Sequence, residues 1–218
     1  MINKVIDTIS CPHCGHKQNI TIWGVVDASV NTKTKQKILN GTFFEQVCKS
    51  CGEPHLVSYP MLYEDKENRL MIYHNTTQLG ISNAQQAIDS RREVVAEKDD
   101  MRIRIVTSPN YLREKLRIFE MGLDDRLIEV VKALVLEKIC QDKNLGPVDD
   151  VLCWVQSNGD MSIDVFAEQT GSVTVNKSFY SYVEGKVKKQ LDEQSPNPSE
   201  VNLDFAIEFL ERNHFVCE

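Results

Sequence analysis

Several features are missing from this sequence, and each absence narrows the reading. No run of about 18 apolar residues occurs, so nothing in it reads as a membrane-spanning helix. The opening MINKVIDTIS has no apolar core of the secretory type, so the cytoplasm of the producing cell is the expected compartment. There is no basic excess. The 218 residues carry 25 Lys+Arg against 32 Asp+Glu, a net charge of −7. Residues 1–80 stand at +1 and residues 81–218 at −8. Sequence-blind nucleic-acid binding needs a basic footprint that such a chain lacks. No repeat recurs at a period of about 20–50 residues. No G-x-S-x-G, phosphate-binding glycine loop or H-E-x-x-H occurs, which weighs against an enzyme. Low complexity is absent too. Hydrophobic residues at 41% and charged residues at 26% exclude collagen-like and largely disordered classes. A chain of this length buries a sizeable core without staples.

What the chain does have is cysteine. Seven are present: Cys11, Cys14, Cys48, Cys51, Cys140, Cys153 and Cys217. An odd number without a secretory leader argues against a disulfide framework. Four of them form two C-x-x-C pairs, CPHCG at 11–15 and CKSCG at 48–52, each followed directly by Gly. Two thiolates two residues apart reach one ion from a single tight turn, whose backbone N–H groups point back at the sulfurs. Gly after the second Cys relieves the sharp turn of the chain. Two such knuckles supply four sulfurs, a closed tetrahedral site. Residues 15–47 between them are longer than the usual spacing of about 15–20, which reads as an insertion holding a strand and a short helix.

Three chemistries compete for this pattern. The leading one is a structural Zn²⁺ on Cys11, Cys14, Cys48 and Cys51, which leaves no open position for a catalytic water. CPHC also occurs in thiol oxidants, but there it follows a strand and opens a helix, whereas here it runs into Gly15-His16-Lys17 and a second strand. A rubredoxin-like iron centre shares the same geometry and is the lesser metal alternative. His13, His16 and His55 lie near enough in sequence to replace a Cys, and the plainer reading is that they are polar loop residues.

Around the knuckles, strands are expected at 5–10, 18–26, 54–63 and 69–73, with a short helix at 33–40 closed by Gly41. Ser82 with Gln85 suggests a capping box opening a charged helix over 83–98. A strand at 102–107 and a helix from Ser108-Pro109 to about Glu120 follow. Asp124 then caps an apolar, buried helix reaching about Lys138. Beyond a linker at 142–149, strands at 150–157 and 161–168 flank Asn158-Gly159, the signature of a type I′ turn. A strand at 172–176 comes next, then a helix over 178–192 with Phe179, Tyr182, Val183, Val187 and Leu191 inward. The last helix spans about 203–212.

The run CPHCG, Trp23, Asn40-Gly41, Phe43-Phe44, CKSCG and Tyr59-Pro60 through LYED at 62–65 resembles the CpXC domain family of bacteria and archaea. EKLRIFEMGLDDRLIE at 114–129 resembles that family's C-terminal part, so the likeness covers roughly residues 5–138. Lys49 stands where proline is common in the family, a departure that metal binding does not depend on. The resemblance implies a ligand set of Cys11, Cys14, Cys48 and Cys51 and no particular activity.

Weaker constellations have plain alternatives. Asp124, Asp125 and Glu129 with Glu120 could form an acid–base or hard-metal site, or could simply cap a helix, with Arg126 pairing one of them. Lys33, Lys35 and Lys37 with Trp23, Phe43 and Phe44 could stack and grip nucleic acid, or could be a solvated helix face beside core aromatics. Cys140 and Cys153 read as inert thiols and Cys217 as a free terminal one.

The expectation is therefore an α+β protein. A zinc-ribbon-like Cys₄ domain with a helical extension occupies 1–140, and a small α+β unit of a three-stranded meander and two helices occupies 146–218. The expected function is a zinc-binding, non-enzymatic binding or adaptor module with a protein partner and no membrane. The alternatives are a nucleic-acid-binding zinc ribbon, disfavoured by the acidic charge, and an enzyme with a site between the two units.

Overall fold

Short, β-rich segments on either side of each cysteine pair form two hairpins. In the computed structural model, which describes residues 4–95, 101–142 and 145–215, β1 (Lys4–Ser10) pairs antiparallel with β2 (Lys17–Trp23). The first knuckle is the turn between them. After β3 (Val25–Asp27) and α1 (Thr32–Leu39), β4 (Glu45–Val47) pairs antiparallel with β5 (Pro54–Leu56) around the second knuckle. The hairpins are separate two-stranded sheets.

A four-stranded sheet of order β3-β6-β7-β8 forms the body of this first part, with β6 at Met61–Asp65, β7 at Leu70–His74 and β8 at Arg102–Val106. β3 runs parallel to β6 and β7 parallel to β8, while β6 and β7 are antiparallel. Two expected strands are thereby divided. The segment 18–26 breaks at Gly24, after which β3 joins the other sheet. The segment 54–63 breaks at Tyr59-Pro60, where proline has no N–H to give a ladder.

Helix α2 (Gln78–Val95) packs Ala84 and Ile88 against Met71, Ile103 and Ile105 of the sheet. It begins earlier than the capping box at Ser82 predicted, because a different cap is present. The Asn75 carboxamide accepts from the Thr77 N–H and hydroxyl, and the Thr77 hydroxyl accepts from the Gly80 N–H. The expected end of this helix, 96–98, lies outside the described residues. On the sheet's other side Phe43, Phe44, Tyr59 and His74 are buried together, with Phe44 5.2 Å from Tyr59 and 4.9 Å from His74 between ring centroids. Phe44 immediately precedes β4, and its carbonyl accepts from the Val57 N–H beyond β5, so the base of the second hairpin is rooted in this core.

Helices α3 (Pro109–Glu120) and α4 (Asp125–Asp142) are the predicted helical pair. Compact units divide at Arg113/Glu114, so from Glu114 onward this pair lies in the second unit. The apolar residues of α4 wrap more than one face and need cover on each. They share one core with the antiparallel sheet β11-β10-β9 (Gly171–Val175, Met161–Ala167, Val148–Val155) and with helices α5 (Lys177–Gln194) and α6 (Leu203–Arg212).

Two local expectations here are corrected. In α5 Tyr180, Val183, Val187 and Leu191 are buried, whereas Tyr182 is 48% exposed. Inside the Asn158-Gly159 turn only Gly159 has a positive φ, +88°, so the turn is not type I′. The Gly159 N–H donates to the Gln156 carbonyl and the Gln156 N–H to the Asp160 carbonyl, a wider loop closed by glycine.

Candidate metal centre

The two knuckles are near-copies. In the first, the Gly15 N–H donates to the Cys11 carbonyl and the Cys11 N–H to the His16 carbonyl, both at 2.9 Å. In the second, Gly52 N–H to Cys48 carbonyl (2.9 Å) and Cys48 N–H to Glu53 carbonyl (3.1 Å) repeat the pattern. The backbone N–H of His13 points at Cys11 Sγ and that of Ser50 at Cys48 Sγ, each at 3.4 Å. Gly15 and Gly52 have φ of +74° and +76°, and an added Cβ would touch nothing at either position. The backbone conformation, and not crowding, calls for glycine there.

Together the hairpins bring four sulfurs within 4.8 Å of one another. Cys11 Sγ lies 3.8 Å from Cys51 Sγ, and Cys14 Sγ lies 3.6 Å from Cys48 Sγ. No disulfide links these thiols. Tetrahedral M–S bonds of about 2.3 Å place their sulfurs about 3.8 Å apart, so the donor set fits one metal ion. Cys11 and Cys48 are buried, while Cys14 and Cys51 are exposed.

Cys48 and Cys51 are pushed in opposite directions. Backbone N–H groups, that of Cys51 above all, hold Cys48 down at about 6 in spite of desolvation. Cys51 is pushed up to about 12. The N–H of Glu53 pulls it down, but desolvation and the sulfurs of Cys14, Cys48 and Cys11 outweigh that pull. The Cys48 thiolate therefore forms at the expense of Cys51, and a cation beside them is what allows both to be deprotonated together.

The other predicted residues fare differently. His13 and His16 are exposed and His55 is half-buried on β5, and among the described residues the cysteines alone form a group that could hold a metal. Lys35 is paired with Asp65 at 3.3 Å, and Phe43 and Phe44 are core residues, so they offer no stacking platform to a nucleic acid. Lys4 sits over the Trp23 ring at 3.7 Å. Asp124 caps α4 by accepting from the Arg126 N–H at 3.0 Å and also grips the Arg126 guanidinium. That guanidinium continues to the carbonyls of Leu191, Ser195 and Pro196 at the end of α5. Glu120 is exposed. Cys140 is exposed, Cys153 is buried, and Cys217 lies outside the described residues.

Three features escaped the sequence reading. Gln18 is buried and spans the two hairpins: its Nε2 donates to the Val47 carbonyl at 3.2 Å and its Oε1 accepts from the Lys49 N–H at 2.9 Å. His74 is buried with Nδ1 3.0 Å from the Tyr59 carbonyl, which makes Nδ1 the protonated nitrogen, and burial lowers its pKa. The third is a buried ionic network linking α3 and α4. Lys115 pairs with Glu129 (2.8 Å) and Asp125 (3.3 Å), and Lys132 pairs with Glu114 (3.1 Å) and Glu129 (2.9 Å). Asp125 and Glu129 are thus occupied by lysines. Desolvation pushes Glu114 up to about 7 against Lys132, while in Glu129 the two lysines overcome desolvation and lower it.

Among the described residues, no helix is long and apolar enough to cross a membrane. Neither the curated proteins nor the solved structures gave a significant match. The family model described as CpXC protein matches residues 9–132, more than half of the sequence, including both knuckles and the buried network. With the four sulfurs of its two knuckles gathered at one point, the chain belongs to the CpXC family.

Proposed function

We propose that this chain binds one Zn²⁺ through Cys11, Cys14, Cys48 and Cys51, and that the zinc is structural. The observation that carries this reading is the convergence of four sulfurs within 4.8 Å from two Gly-terminated knuckles. Four thiolates complete a tetrahedral shell and leave no position for substrate, so the metal welds two small hairpins that bury little apolar surface of their own. Zinc is favoured over iron because, among the described residues, no second group of metal-ligating or redox side chains stands beside the site.

In this reading the zinc-ribbon-like part is a non-enzymatic binding or adaptor module that works in the cytoplasm with a protein partner. Exposed aliphatic side chains on both hairpins support a protein partner: Val5, Ile6, Val47 and Leu56 are 58%, 76%, 56% and 68% exposed. The six described cysteines are free thiols, which suits a reducing compartment. Elemental analysis of the purified chain, with a titration of fluorescent DNA and RNA at low salt, tests the reading. Zinc at one equivalent and no nucleic-acid binding are expected. Iron would redirect it to electron transfer, and salt-sensitive binding would redirect it to nucleic acid.

A further inference from the structure

Gln18 is a polar residue only 6% exposed, and a buried carboxamide has to have its donors and acceptor satisfied. It does so on the opposite hairpin. Nε2 donates to the carbonyl of Val47 and Oε1 accepts from the N–H of Lys49, the residues on either side of Cys48. The side chain thereby holds both faces of the backbone around one proposed ligand, as a neighbouring strand would. Among the described residues, the sulfur contacts aside, these are the hydrogen bonds that cross from the first hairpin to the second. Gln18 itself lies on β2, four residues after Cys14, and opposite Ile9 in the β1–β2 register.

We infer that Gln18 is a positioning residue that docks the second knuckle onto the first and governs how readily the centre gives up its metal. The inference rests on the metal reading above. Two ligand pairs separated by a long stretch of chain must otherwise be reunited at each binding event. With the carboxamide in place, Cys48 stays beside Cys14 when the ion is away, and the site remains preorganised. The bonds act on the backbone of residues 47 and 49 and touch no sulfur, so the ligand set does not change when they are lost.

The test uses the full chain loaded with zinc and measures transfer to a colorimetric chelator. Q18M keeps the length and burial of the side chain and loses both bonds. Q18E keeps an acceptor for the Lys49 N–H but opposes the Val47 carbonyl, and it serves if Q18M fails to fold. N19A removes the exposed Thr8–Asn19 contact on the same hairpin and is the control. Transfer should quicken about 10-fold or more in Q18M, the scale of outer-shell effects, and less in Q18E, with N19A within about twofold of the parent. The four-sulfur absorption bands of the Co²⁺ form should be preserved in Q18M, as a positioning role requires. Parent-like release from Q18M, or equal acceleration by N19A, overturns the inference and leaves the metal centre standing. A parent chain that neither carries nor takes up metal overturns the centre and the inference together.

Discussion

A single glycine shows how closely this centre depends on backbone conformation. Gly15, at φ +74°, has empty space where a Cβ would go. Gly15→Ala therefore meets no clash and costs only the left-handed backbone, about 1–2 kcal/mol. Unfolding free energy from denaturant melts should fall by that amount with the metal content unchanged, and loss of the metal would show that the knuckle tolerates less than its geometry implies. At this scale the clustering of four thiols was legible, because C-x-x-C-G states two thiols and the turn that aims them. Gln18 was not legible. A glutamine in an alternating strand looks like any solvent-facing residue, and only the approach of Val47 and Lys49, about thirty positions away, reveals its role. Tyr182 misled for a similar reason: on α5 it sits one step off the buried stripe that Tyr180 occupies.

Elements were read most reliably where punctuation is strong. Proline after Ser108 and the knuckle glycines bound their elements closely, whereas Asn176, read as the end of a strand, and Asn202 turn out to cap α5 and α6. Strands split by Gly24 and Pro60 were read as continuous, since β-branched and aromatic residues run across both breaks. The α3–α4 pair hid its chemistry best. Glu114, Lys115, Glu129 and Lys132 resemble the solvated face of amphipathic helices, yet each is at most 2% exposed because it is paired across the two helices. This network predicts a pH dependence. Glu114 is raised from 4.5 to about 7, so the folded chain keeps a proton that the unfolded chain has released. Its contribution to stability is complete below about 4.5 and is lost as pH rises to about 7. Glu129 is lowered, so its own contribution runs the other way and fades in acid. Comparing E114Q with the parent isolates the first effect. Denaturant unfolding should show E114Q gaining on the parent between those pH values, by on the order of 3 kcal/mol at the upper end. A difference that does not change with pH would contradict the assignment.

For the whole molecule, apolar patterning and turn signals predicted an α+β chain of two parts, and the cysteine constellation predicted where its distinctive chemistry would lie. The family match stops within α4, so the strands β9–β11 and helices α5 and α6 rest on packing alone, and no motif in them points to an activity. On the function proposed above, one metal ion joins the two hairpins through four sulfurs. Native mass spectrometry of the purified chain, before and after chelation and beside Cys11→Ser, tests it most directly. Four protected and three titratable thiols among the seven, with a mass of one zinc that disappears on chelation, is the predicted result. Cys11→Ser should lose that mass and melt at a lower temperature, since structural zinc contributes about 10–16 kcal/mol of apparent binding energy in small peptide sites. A metal-free parent with seven reactive thiols, and a Cys11→Ser variant that melts with it, would contradict the claim.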